Sequence, residues 1–160
     1  MHNVLFVCLG NICRSPMAEF MFKEKVAQMG LAEEFTIASA GTSSEEEGNP
    51  VYPPARAELA RHGISCTGKR ARKLTSADYT KFDHILAAES RNVTAALRIF
   101  GGDPEKKVFR ILDFSDRPRD ISDPLWTGDF ATAYRDIEEG IDGFLRSLFR
   151  SGKLSPKKSG

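Results

Sequence analysis

Cysteine is scarce in this chain: three in 160 residues, with Cys8 and Cys13 in one short segment and Cys66 far from them. That count excludes the disulfide framework of a small secreted domain, and the cytoplasm is the expected compartment. Histidines also number three, and His2, His62 and His84 form no cluster with the cysteines at metal-ligand spacing. No metal or other cofactor is therefore expected. No apolar run approaches the length of a membrane span, and the first residues lack the pattern of a signal peptide. Neither sign of charge prevails, with 23 Lys and Arg against 22 Asp and Glu and a formal net charge of +1. Nothing here points to nucleic acid or a membrane surface as the partner, and a monomer is the simplest expectation. There is no internal repeat. One domain is expected over residues 1–150, followed by a mobile basic tail over 151–160, where Lys153, Lys157 and Lys158 stand among Ser, Gly and Pro.

What the chain does have is alternation. Apolar strand patterns at residues 4–7, 35–38, 85–87 and 108–112 alternate with helical patterns at 16–29, 54–62, 92–100 and 130–149. Gly30 and Gly63 supply helix stops, and residues 115–127 form a long loop rich in Asp and Pro. Such alternation predicts an α/β fold with a parallel sheet and helices on both faces. Open parallel sheets bind ligands beyond the carboxyl ends of their strands, which places the expected site just after residue 7.

That position holds the most informative segment: Val4-Leu5-Phe6-Val7-Cys8-Leu9-Gly10-Asn11-Ile12-Cys13-Arg14-Ser15-Pro16. Ser15 suits a helix cap and Pro16 suits a first turn, so the loop between strand and helix sits at a helix N-terminus. Free N–H groups and the helix dipole attract anions there. The same field favours a thiolate at Cys8, and a thiolate is the nucleophilic form of cysteine. Arg14 adds a planar fork that can hold two phosphate oxygens. Gly10 and Asn11 tolerate left-handed backbone, which a tight anion cradle requires. A buried core cysteine followed by a surface arginine is the alternative, and the strand, the spacing, the serine and the proline together weigh against it. In the long loop, Asp123-Pro124 offers a carboxylic acid that could give a proton to a leaving oxygen. Taken alone, Asp-Pro reads first as a turn opener, and Asp113, Asp116, Asp120 and Asp129 compete for the acid role.

The run from Cys8 to Pro16 resembles the signature of the low-molecular-weight protein tyrosine phosphatases. Ser39-Ala40-Gly41-Thr42-Ser43, Gly48-Asn49-Pro50, Arg61-His62-Gly63-Ile64, Phe82-Asp83-His84-Ile85-Leu86 and Asp123-Pro124 fall in that family's order. The likeness covers the chain to about residue 150. It implies a single-domain doubly wound parallel four-stranded sheet, and hydrolysis of protein phosphotyrosine through a cysteinyl-phosphate. Inorganic phosphate is the product. By this resemblance Cys8 is the nucleophile and Arg14, with residues 9–15 (Leu9, Gly10, Asn11, Ile12, Cys13, Arg14, Ser15), holds the phosphate. Asp123 is the acid, Ser15 stabilises the thiolate, and Ser39 and His62 hold Asn11 by hydrogen bonds. Cys13 takes a protective redox role as resolving thiol. Two departures stand out: Glu45-Glu46-Glu47 occupies a cleft wall where many relatives carry an aromatic, and Leu125-Trp126 follows Asp-Pro where many carry an aromatic pair. The glutamates read first as a solvated loop, with Glu45 nearest the substrate wall; Leu125 and Trp126 are the other expected wall residues, and Trp126 could stack on a phenol ring. Other readings share the signature. A protein-arginine phosphatase tends to carry threonine where Ile12 stands, arsenate reduction needs cysteines beyond Cys66, and a phosphate-binding module would not need Cys8, Arg14 and Asp123 together.

Overall fold

The computed structural model describes residues 1–156. Strands β1 (His2–Cys8), β2 (Phe35–Gly41), β3 (His84–Ala87) and β4 (Val108–Arg110) form one sheet in the order β2-β1-β3-β4. Every pairing in it is parallel. Helices α1 (Arg14–Gln28), α2 (Pro53–Arg61), α3 (Ala77–Lys81), α4 (Ser90–Phe100), α5 (Pro124–Thr127) and α6 (Phe130–Arg150) complete the fold. The chain is thus the doubly wound α/β domain that the alternation predicts.

Strand β1 shows why both faces need helices. Val4, Leu5, Phe6 and Val7 are all fully buried, as a central parallel strand demands. Successive side chains point to opposite faces. Val4 and Phe6 join Phe22, Leu86 and Phe144 in one core, against α1 and α6. Leu5 and Val7 join Leu74, Phe82, Ile85 and Ala96 in the other, against α3 and α4.

The boundaries differ from expectation in ways that bear on the site. Helix α1 begins at Arg14, two residues early, and Cys13 rather than Ser15 is its cap residue. Pro16 still falls in the first turn, where its missing N–H costs nothing. Strand β4 stops at Arg110 because Ile111–Phe114 turns into a 3₁₀ helix, with Asp113 accepting from the Arg110 amide at 2.8 Å. Helix α3 was not foreseen, since five residues carry no periodic stripe. The long loop contains α5, and Asp123 caps it by accepting the Leu125 N–H at 3.0 Å.

Helix α6 lies very close to the 3₁₀ turn. A Cβ on Gly140 would stand 2.7 Å from the Ile111 carbonyl oxygen, and one on Gly143 would collide with the Phe114 carbonyl. Gly143→Ala is therefore expected to destabilise the domain by about 1–3 kcal/mol, the usual cost of overpacking, although alanine is the better helix former. Urea unfolding checks this; an unchanged or raised midpoint contradicts it.

After α6, Leu154 is buried among the residues of the α1–α6 core, and the Lys153 carbonyl accepts from His2 Nε2 at 2.8 Å. The start of the expected tail is thus packed onto the sheet as far as these contacts reach. Its remaining lysines, Lys157 and Lys158, lie outside the described residues. Among the described residues no helix is long and apolar enough to cross a membrane.

Candidate active site

The site is built where β1 ends and α1 begins. Cys8 closes the strand and is 3% exposed. Its Sγ lies 2.9 Å from Ser15 Oγ and accepts the Ser15 amide at 3.4 Å. Residues 9–13 loop over it. The amides of residues 9–14 donate to no protein acceptor among the described residues. Unpaired N–H groups are rare in folded proteins. Six in succession around a thiol, at the start of a fifteen-residue helix, form a nest for an anion.

The nest is held open from below. Asn11 has a φ of 59°, in the left-handed region, and its side chain is tied at each end. Its Nδ2 donates to Ser15 Oγ at 2.8 Å and Ser39 Oγ at 2.9 Å, while Oδ1 accepts the Arg72 amide at 3.0 Å. Gly10 does not adopt a positive φ. What matters there is the missing side chain, since a Cβ would stand 3.2 Å from Glu46 Cγ. Gly41 ends β2 directly under the loop, where a Cβ would be 2.8 Å from the Leu9 carbonyl oxygen.

Beneath Asn11, Ser39 is where it was expected, but His62 is not. The His62 ring stacks on Tyr134 with centroids 3.7 Å apart and its Nε2 meets Glu58 at 3.1 Å, so it links α2 to α6. The support comes instead from Glu19 and Lys69. Ser39 Oγ donates to Glu19 Oε1 at 2.5 Å, and the other Glu19 oxygen takes Lys23 at 2.6 Å. Lys69 lies 3.3 Å from Glu19 and donates to the Ser39 carbonyl at 3.1 Å. Burial pulls the Lys69 ammonium below the usual lysine value, and Glu19 opposes that shift. Because Glu19 takes the Ser39 proton, Ser39 is left to accept from Asn11. Ser15 likewise accepts from Asn11, which frees its own proton to face Cys8 Sγ. The sequence carried one usable sign of this. Ser15, Glu19, Phe22 and Val26 form a helical stripe that is buried throughout, and a carboxylate on such a stripe needs partners.

Arg14 is 2% exposed and reaches across the nest. Its Nη1 donates to Glu89 Oε2 at 2.6 Å and to the Ile121 carbonyl at 2.7 Å, while Nη2 approaches Asp123 Oδ2 at 3.4 Å. Glu89 was missed by sequence reasoning, and nothing near it in the chain marks it. Among the five loop aspartates, Asp123 is the one that lines the cavity over Cys8. Asp113 pairs with Arg110 at 2.9 Å, Asp120 accepts from Ser90 at 2.9 Å, and Asp129 caps α6 through the Thr132 amide at 2.9 Å. Asp116 is exposed and outside the cavity.

The cavity has a volume of about 120 Å³. Leu9, Ile12 and Leu125 give it apolar walls, and Glu45 and Glu46 stand on one side of it. Glu46 was read with its neighbours as solvated loop, yet it lines the cavity and also holds Asn49 at 2.7 Å. Trp126 corrects the expectation in the opposite sense. It does not line this cavity but stands 87% exposed over a neighbouring groove. Consecutive residues of a helical turn point about 100° apart, so Leu125 and Trp126 cannot share a wall. Cys8, Cys13 and Cys66 are free and buried. Burial, followed by the nearby Cys8, pushes the Cys13 thiol far above the usual cysteine range.

Comparison with known proteins agrees with this geometry. A family model described as low molecular weight phosphotyrosine protein phosphatase matches residues 3–154. The Bacillus subtilis low molecular weight protein-tyrosine-phosphatase YfkJ is 36% identical over 156 residues, 96% of this chain and 100% of that protein. The human low molecular weight phosphotyrosine protein phosphatase is 33% identical over 159 residues, 89% of this chain and 93% of that one. The YfkJ crystal structure superposes with a TM-score of 0.91 over 94% of this chain and 96% of its own. A Drosophila arginine phosphatase superposes with a TM-score of 0.84 at 30% identity, over 91% of this chain and 96% of its own.

Proposed function

The chain belongs to the low molecular weight phosphotyrosine protein phosphatase family, and from that premise we propose that it hydrolyses phosphotyrosine in proteins through a cysteinyl-phosphate. The observation that carries this reading is the buried Cys8 sulfur ringed by the unpaired amides of residues 9–14. The phosphoryl group sits in that nest, held by the amides and by the Arg14 edge that faces away from Glu89. Cys8 attacks as thiolate. A sulfur–phosphorus bond forms, the phosphorus–oxygen bond to the ring breaks, and Asp123 gives its proton to the departing oxygen. Water then attacks phosphorus, Asp123 takes a proton from it, and the sulfur–phosphorus bond breaks. Phenol and inorganic phosphate are the products. The positive field needed at phosphorus comes from Arg14 and the amides. Ser15 and Ser39 keep Asn11 and the Cys8 sulfur in place; when a peroxide oxidises the Cys8 thiolate to a sulfenic acid, the Cys13 sulfur attacks it, a disulfide forms and water leaves. The protein acts as a monomer in the cytoplasm, in keeping with its free cysteines and balanced charge.

A second reading is dephosphorylation of arginine. Glu45 and Glu46 at the cavity offer partners to a guanidinium, and one structural relative is named an arginine phosphatase. Ile12 favours the aryl reading, because its branched apolar side chain lines the same cavity and packs better on a ring. Matched peptides bearing phosphotyrosine, phosphoserine or phosphoarginine decide between them. Phosphotyrosine should be turned over fastest, and a preference for phosphoarginine would reverse the assignment.

A further inference from the structure

A second groove of about 490 Å³ opens beside the cavity and shares Leu9, Arg14 and Asp123 with it. A peptide whose phosphotyrosine fills the cavity must lay its neighbouring residues along one of the surrounding rims, and this groove is continuous with the reaction centre. Trp126 stands over it with 87% of its surface exposed. Tryptophan is enriched among the side chains that carry binding energy at interfaces, and this one adjoins the reaction cavity.

The charges of the groove are mostly accounted for. Arg14 pairs with Glu89, Asp120 pairs with Arg110 at 3.1 Å, and Asp123 lies against Arg14. Arg91, at the start of α4, is exposed and pairs with no carboxylate among the described residues. A cation in the first turn of a helix is unfavourably placed against the helix dipole, so its position is not explained by helix stability. The other rims are different. Glu45 and Glu46 stand on the β2 side of the cavity, with Glu47 exposed beside them. Beyond Leu125 the surface holds Arg61, already paired with Glu58 at 2.8 Å. The mouth is therefore electrically polar, with carboxylates on one rim and a free guanidinium on the other.

Resting on the phosphotyrosine reading, we propose that this groove takes an acidic side chain flanking the phosphotyrosine of the substrate, paired with Arg91 and packed on Trp126. The glutamate rim repels the same side chain, so the two rims together set the direction in which the peptide crosses the site.

The test is a set of phosphotyrosine peptides with Glu, Gln or Lys placed in turn at each of three positions on either side. On one side of the phosphotyrosine, Glu should give a kcat/KM about three- to fivefold above Lys, the size of an exposed ion pair. Added salt should shrink the difference. Arg91→Glu should reverse the order at that position while leaving hydrolysis of p-nitrophenyl phosphate, which has no flanking residues, unchanged. Rates independent of the flank, or a Glu preference that survives in Arg91→Glu, would overturn the proposal. If the enzyme turned over no phosphotyrosine peptide yet showed Cys8-dependent hydrolysis of another phosphate, the phosphotyrosine reading itself would fall, and the groove assignment with it.

Discussion

Cys8→Ser is expected to lower turnover of an aryl phosphate by about 10⁴-fold or more, because a serine hydroxyl at this position has no base to activate it. The groups that bond Cys8 Sγ are the Ser15 hydroxyl and the Ser15 backbone N–H. They can stabilise an anion that already exists, and they cannot remove a proton. The variant should still bind inorganic phosphate, since the amides of residues 9–14 and Arg14 are untouched. Calorimetric titration with phosphate separates the two effects. Retained binding with lost turnover is the expected outcome, and near-normal turnover would contradict the assigned nucleophile.

Asp123→Asn carries the second large effect. A general acid contributes about 10² to 10⁴ in rate, and its share grows with the need of the leaving group for a proton. The variant should therefore slow phosphotyrosine hydrolysis strongly and an activated aryl phosphate much less. The structure makes asparagine the right replacement. Asp123 also caps α5 by accepting the Leu125 amide, and asparagine caps a helix as well as aspartate does. The loop should keep its shape while the proton is lost. Asp120 is engaged with Ser90 and Arg110, and Asp116 lies outside the cavity. Asp120→Asn and Asp116→Asn should leave the dependence on leaving-group pKa as it is. Equal slowing of good and poor leaving groups by Asp123→Asn would assign Asp123 a structural role and return the acid to another residue.

What could be read from the sequence follows from how local each feature is. The passage from β1 through Cys8 to Arg14 is continuous in the chain, and its apolar run, spacing and proline all act within a few residues. The strand and helix order is legible for the same reason. Ser39 and Asp123 were found through the family resemblance. Glu89, Glu19 and Lys69 were not, because each is brought to the site by packing alone: Glu89 meets Arg14 across 75 positions of sequence and Lys69 meets Ser39 across 30. His62 shows the converse error. The family resemblance implies a role for it in the cradle, but the tertiary fold gives its ring to Tyr134 and its nitrogen to Glu58. Trp126 was placed on the wrong wall because adjacency in sequence was read as a shared direction, which the turn of α5 does not permit.

The claim on which the rest depends is that a phosphoryl group passes through sulfur. Asp123→Asn supplies the means to see it, since loss of the acid that also serves as base should slow release of phosphate after an activated aryl phosphate has reacted. Acid quench during turnover, digestion and mass spectrometry should then find one phosphoryl group on the peptide containing Cys8, absent when Cys8 is replaced by serine. Turnover with no phosphorylated Cys8 at any quench time, or with the phosphoryl group on another residue, would contradict the account.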